Sequence, residues 1–231
     1  ATFGNFIRNE LSSSIEQIFK DINTYIFEKE QVDLQHTYID GTKLEANANR
    51  YTWVWKKSCI KNRGKVFEKL SALINAMNTE VLGYLGVKFE KRDDYAIEYV
   101  EELLEKYARV TKLDIGSFVT GRGHRKTLHQ RQYQEMEGYL LRLKTYAKHI
   151  EICGESRNSY AKTDHDATFM RLKRDYMGND QLLPAYNVQA AVCDEYIAVI
   201  DVKPYASDQD CFVPLMEKFK EIYGHYPKYP V

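Results

Sequence analysis

No stretch of this 231-residue chain approaches the roughly 18 consecutive apolar residues that a membrane-spanning helix needs. The opening Ala1-Thr-Phe-Gly-Asn-Phe6 lacks the basic and apolar regions of a secretion signal, so none is visible. Net charge is missing as well. The 33 Lys and Arg residues balance 33 Asp and Glu residues, which argues against a protein that simply coats nucleic acid. Cysteine is sparse: Cys59, Cys153, Cys193 and Cys211 lie far apart with no paired spacing. They read as reduced, cytosolic thiols rather than as a disulfide framework or a zinc site. There is no internal repeat and no low-complexity segment. Gly121-Arg-Gly-His-Arg-Lys126 lacks the Gly-Lys-Ser/Thr ending of a phosphate loop and reads as a flexible basic linker.

What remains is an ordinary globular composition, 44% hydrophobic and 29% charged, long enough for one large domain or a domain with an insertion. The charges are segregated. Lys56, Lys57, Lys61, Arg63 and Lys65 form one basic run. Arg122, Arg125, Lys126 and Arg131 form a second, interleaved with His124 and His129, and Arg171, Lys173 and Arg174 form a third. Acids gather between Glu90 and Glu105. Such runs commonly line solvated loops, and they also fit a protein with one DNA-facing side.

Apolar spacing divides the chain into elements. Phe6, Leu11, Ile15, Ile18, Phe19, Ile22 and Ile26 recur as in a helix. A strand from about Thr37 to Glu45 follows, and then a polar, basic stretch. Trp53 and Trp55 share one side of a short strand and read as core. Three helical stripes come next: Leu70, Leu73, Ile74, Met77, Val81 and Leu85; Ile97, Val100, Leu104 and Tyr107; Tyr133, Met136, Leu140, Leu143, Ala147 and Ile150. After Gly154 the period changes. Tyr186–Cys193 and Tyr196–Val202 read as a hairpin turned at Asp194-Glu195. Phe212, Leu215, Met216, Phe219 and Ile222 make a last helix, and Tyr226-Pro-Lys-Tyr-Pro-Val231 begins another strand. This order suits an α/β core interrupted by a helical insertion.

Within the first strand, Tyr38 and Ile39 are strand formers that end in Asp40 and then Gly41. Two readings are open on residue types. Asp-Gly can turn the chain between two short strands. Alternatively, a carboxylate in a strand calls for a cationic partner, and a hard divalent cation suits it. Asp164 and Asp166 flank His165, a cluster that could hold metal or, through Asp166, cap a following helix. Asp201 near the end of the hairpin is a candidate second ligand beside Asp40. Glu45 lies at an odd offset from Asp40, hence on the other face of the strand.

Ile39-Asp-Gly-Thr-Lys-Leu-Glu-Ala-Asn-Ala-Asn-Arg-Tyr-Thr-Trp-Val-Trp-Lys-Lys57 resembles the first catalytic segment of DDE-type bacterial insertion-sequence transposases. Thr163-Asp-His-Asp-Ala-Thr-Phe-Met-Arg-Leu-Lys173, followed by Gln181-Leu-Leu-Pro-Ala-Tyr-Asn-Val-Gln189, resembles the segment that leads back into the catalytic sheet of the same family. The two blocks occur in the family's order and span most of the chain.

The resemblance implies an α/β fold, a partial ribonuclease H-like mixed sheet with a large, mainly helical insertion. Residues 1–35 would be an N-terminal helical segment, 36–64 the first core strand and a basic loop, 65–160 the insertion, and 161–231 the rest of the core, incomplete at its C-terminus. The implied activity is cleavage and joining of DNA strands at insertion-sequence ends, with two divalent metals about 4 Å apart. Of the family's three acids, Asp40 matches the first, as catalytic residue and metal ligand. The second follows a segment like Lys228-Tyr-Pro-Val231, and the Glu lies further on. The chain is therefore expected to be an internal piece of a transposase, inactive alone. Mg2+ or Mn2+ would belong to the complete enzyme, with none bound to this chain. Lys56, Lys57, Lys61, Arg63, Lys65, Arg122, Arg125, Lys126 and Arg131 are expected to contact phosphates of double-stranded DNA. A homodimer is a further candidate partner state, a membrane or a small-molecule substrate is not, and the location would be the bacterial cytoplasm at the nucleoid. The rival expectation is a non-catalytic remnant that binds DNA or partner subunits.

Overall fold

The structure is a computed structural model and describes residues 2–121, 123, 125–173, 178 and 180–231. In chain order its α-helices and strands are α1 (Thr2–Phe6), α2 (Ile15–Glu30), β1 (His36–Glu45), β2 (Trp53–Trp55), α3 (Lys56–Glu80), α4 (Ile97–Val110), α5 (Leu128–Cys153), β3 (Ser159–Ala161), β4 (Thr168–Arg171), β5 (Leu182–Cys193), β6 (Tyr196–Lys203), α6 (Asp208–Tyr223) and β7 (Tyr229–Pro230). They form two compact units, Ala1–Thr52 with Ala161–Val231, and Trp53–Tyr160. Among the described residues no helix is long and apolar enough to cross a membrane.

The first unit is built on a mixed sheet. β5 and β6 form the expected hairpin, turned at Asp194, whose φ of 51° is a left-handed conformation that Asp tolerates. β1 pairs antiparallel with β5 along eight residues, from Tyr38↔Val192 to Glu45↔Ala185. β4 pairs with the start of β5. The chain then crosses through α6 and returns as β7, parallel to β1 at His36↔Tyr229 and Thr37↔Pro230. A parallel return needs such a crossover, because a tight turn can join only antiparallel strands.

One face of this sheet is covered. Phe27 of α2 and Leu215, Met216 and Phe219 of α6 pack with Ala191, Cys193, Ala198 and Val199, and Ile39 borders them. The period-two alternation puts Tyr38, Asp40, Thr42 and Leu44 on the other face. That face is open: Tyr38 and Leu44 are exposed, as are Ile200 and Val202 of β6.

In the second unit β2 pairs with β3, and α3, α4 and α5 supply the three expected stripes. Leu70, Leu73, Ile74, Met77, Val81, Val100, Leu104, Tyr107, Tyr133, Met136 and Leu143 share one buried cluster, with Ile97 and Leu140 half-buried beside it. Leu85 instead faces water. The basic run is helical from Lys56 onward, and not a loop, so the helical unit begins at Trp53. Lys and Arg are good helix formers and no proline interrupts the run. The tryptophans depart from expectation too. Val54 is the buried residue of β2, against Cys59, Cys153 and Tyr160, while Trp53 is 49% exposed and Trp55 half-buried.

Candidate active site

Asp40 sits within β1, opposite Ala190, and the strand runs straight on through Gly41 to Glu45. The Asp-Gly turn is thereby excluded. The Asp40 side chain is 93% exposed on the open face. Its Oδ1 accepts a hydrogen bond from the Gly41 N–H at 2.8 Å. The ammonium of Lys173 donates to the Gly41 carbonyl at 2.8 Å and lies 3.7 Å from Asp40 Oδ1. One carboxylate oxygen and one carbonyl oxygen thus converge on a single cation. Both charged side chains are well exposed, so their pairing contributes at most about 1 kcal/mol.

The end of β7 lies next to this point. Val231 N–H donates to the Thr37 carbonyl at 2.9 Å, and the Val231 carbonyl accepts from Ile39 N–H at 2.8 Å. Tyr229 stacks on His36 with ring centroids 4.7 Å apart. A 2.6 Å hydrogen bond joins His36 Nδ1 to Asp33 Oδ2. That bond, with a second from the Gln35 N–H, holds the Asp33 carboxyl below its ordinary range.

The two sequence blocks that carry the transposase resemblance come together here. β1 and β5 are paired, and the loop after β1 is tied to the start of the second block by Asn49 N–H donating to Thr163 Oγ1 at 2.8 Å. Asp164 Oδ2 accepts from the Tyr186 hydroxyl at 2.7 Å, and Asp164 Oδ1 from the Asp166 N–H at 3.1 Å. Asp166 caps no helix. The segment after it is strand β4, whose Thr168, Phe169 and Met170 are all buried. Asp201 does not join Asp40 either. It pairs with Gln189, which pairs with Gly41, so Asp201 shares the covered face with those two residues, opposite to Asp40. Its Oδ1 lies 3.2 Å from Lys203 Nζ.

Whether a hard cation fits can be judged from the donors. Asp40 and the Gly41 carbonyl have the oxygen chemistry that magnesium takes, but they are two ligands where an octahedral ion needs six. Among the described residues no three His, Cys, Asp or Glu side chains converge as a metal site, the Asp164–Asp166 cluster included.

The basic residues divide by role. Lys57, Lys61 and Lys65 recur every fourth residue on α3 and are exposed, with Lys69 continuing the row. Lys56 is engaged elsewhere: its ammonium donates to the carbonyls of Gly154 at 2.5 Å and Glu155 at 3.3 Å, closing the C-terminal end of α5. The Arg63 guanidinium lies over the Phe67 ring. Arg125 and Arg131 are exposed, and Lys126 donates to Gln134 Oε1 at 2.7 Å. Arg122 lies outside the described residues, as do His124 and Arg174.

Two residues in contact with the Asp40–Gly41 peptide escaped the sequence reading, Lys173 as a neighbour of the carboxylate and Gln189 as the residue packed on Gly41. The available signal was Gly41 itself, since a glycine inside a strand marks close approach by another group. No family model, curated protein or solved structure matches this chain.

Proposed function

We propose that this chain carries the first metal-binding carboxylate, Asp40, of a DDE-type DNA transposase with a ribonuclease H-like core. In such a core the first strand, a hairpin and a following strand share one sheet. The observation that carries the proposal is the order β6–β5–β1–β7, with β7 parallel to β1 and Asp40 on the open face just past their pairing. Parallel register advances residue for residue. Thr37 faces Pro230, so the position two residues beyond Val231, in any continuation of β7, would face Asp40. That is where the family's second Asp falls.

In the complete enzyme Mg2+ or Mn2+ would activate the attacking oxygen and stabilise the leaving one. Asp40 would supply one carboxylate ligand, and Lys57, Lys61 and Lys65 of α3 would neutralise phosphates of duplex DNA and release counterions. A single carboxylate cannot hold two hard cations, so this chain by itself would not cut DNA. The setting would be the bacterial cytoplasm at the nucleoid.

The coding DNA after Val231 tests this directly. An in-frame Ala-Asp-Ala-Gly-like continuation, followed by a helix bearing Glu, is expected. A stop codon at that point would favour a remnant that only binds DNA or partner subunits.

A further inference from the structure

We infer that the outer edge of β6 binds an extended segment of a partner protein, added as an antiparallel strand that sets a basic residue, between two apolar ones, against Asp201. The register defines this edge. The Pro184 carbonyl accepts from the Ala46 N–H, so even-numbered residues of β5 turn their backbone groups to β1 and odd-numbered ones turn theirs to β4 and β6. Gln189↔Asp201 and Ala191↔Val199 are therefore hydrogen-bonded pairs of the hairpin. Ile200 and Val202 alternate with them and point their N–H and C=O groups away from β5. Among the described residues no strand pairs with β6 on that side. Nearer the hairpin turn the edge is closed, because Asn23 of α2 donates to the carbonyls of Ile197 at 3.0 Å and Ala198 at 3.3 Å. The stretch beyond Val199 stays open, and an unpaired edge is a template for another strand.

The side chains along this stretch are unusual. Ile200 and Val202 are exposed on the open face of the sheet, while Asp201 between them is only 5% exposed. Asp201 Oδ1 lies 3.2 Å from Lys203 Nζ, but Oδ2 is buried without a hydrogen-bond partner among the described residues. A buried carboxylate oxygen in that position has lost water and gained nothing in return. Lys218 is engaged elsewhere, donating from α6 to Glu16 of α2 at 2.8 Å. Ile200, Asp201 and Val202 line a cavity of about 570 Å³ together with Ile15 and Phe19 of α2 and Ile222 of α6. That volume falls within the range of about 300–1,000 Å³ usual for ligand sites.

The backbone groups of Ile200 and Val202 call for a strand as occupant. In an antiparallel addition the residues facing those two form hydrogen-bonded pairs, and their side chains join Ile200 and Val202 on the open face, where apolar groups suit them. The residue facing Asp201 falls on the covered face. It forms a non-hydrogen-bonded pair, the kind in which side chains stand closest. A guanidinium there would give Oδ2 a charge-assisted partner and leave Oδ1 to Lys203. The segment recognised is thus apolar–Arg–apolar in extended form. Strand addition of this kind takes affinity from the main chain and specificity from alternate side chains.

The test titrates the full chain, 15N-labelled, with the end-blocked peptide Thr-Val-Arg-Val-Thr, read by calorimetry and by amide shifts. Saturable binding that moves the Ile200 and Val202 amides is expected. Met in place of the peptide Arg should weaken binding about 10-fold, and in Asp201→Asn that difference should disappear. N-methylation of either Val, whose N–H faces the edge, should abolish binding, whereas N-methylation of the Arg, whose N–H points outward, should not. The proposal is overturned if the peptide fails to bind, if Arg and Met peptides bind wild type equally, or if both kinds of N-methylation act alike. Ethylguanidinium binding as tightly as the peptide would make this a small-cation site and contradict the strand. A concentration-dependent dimer that moves the same two amides and is dissolved by the peptide would make a second copy the occupant, and would equally overturn it. Should Asp201→Asn fail to fold, the peptide series on wild type decides alone.

Discussion

Asp40 costs the fold little, because its carboxylate stands in water and not in the core. Asp40→Asn should therefore change unfolding free energy by no more than about 0.5 kcal/mol, as for other exposed positions. Chemical denaturation will check this, and a loss several times larger would make Asp40 a structural residue. Tyr107 is the contrary case. It is fully buried, its hydroxyl donates to Gln132 Oε1 at 2.6 Å, and Gln132 donates to Glu80 at 2.7 Å. Burial, reinforced by the charge of Glu80, pushes the Tyr107 hydroxyl up to about 12. A raised folded value means that the neutral form is favoured in the fold. Its contribution is complete below the ordinary tyrosine value of about 10 and is lost as pH rises through about 12. Tyr107→Phe should cost about 1–3 kcal/mol at neutral pH, by leaving Gln132 Oε1 unpaired. The gap to wild type should narrow between those two pH values, as denaturation at a series of pH values would show. The residues around Asp40 and Gly41 left a turn and a strand both open, and the pairing of β1 with β5 decides for the strand. The contacts of Gln189 and Lys173 with them were not legible, since they join distant segments that only the register of β1 on β5 and the course of the chain after β4 bring together.

Elements whose apolar residues recur at a regular period were the most legible part of the chain. The stripes of α3, α4 and α5 and the β5–β6 hairpin each carry enough repeats to set their own period. Short elements carry too few. β2 has three residues, and its two tryptophans suggested the wrong buried side because bulk hydrophobicity says nothing of which side the neighbouring helices occupy. The segment after Asp166 misled for a similar reason, since four residues of β4 are too few to show a period and the acid before them resembled a helix cap. Along α5, Leu143 is 2% exposed while Leu140 is only half-buried. Leu143→Ala should cost about 2–5 kcal/mol, and Leu140→Ala clearly less, because part of its side chain already meets water. Equal costs in a denaturation series would mean that α5 is turned differently about its axis.

For the molecule as a whole, zero net charge conceals a row of exposed lysines on α3. Duplex DNA should bind with steep salt dependence. Replacing Lys57, Lys61 and Lys65 together with Ala should lower the slope of log K against log salt by about 2.7, at 0.9 per phosphate contact. Lys56→Ala should leave the slope nearly unchanged, since its ammonium is held by the end of α5. Fluorescence anisotropy over a salt series checks both. The central claim, that Asp40 is one carboxylate of a site completed by residues following β7, is tested most directly by strand cleavage. The assay supplies DNA from an insertion-sequence end with magnesium or manganese to three proteins: this chain, the protein extended along its reading frame, and the extended protein bearing Asp40→Asn. The expected result is cleavage by the extended protein alone, with DNA affinity retained in the Asp40→Asn variant. Metal-dependent cleavage by the 231-residue chain itself, or by the Asp40→Asn variant, would contradict the claim.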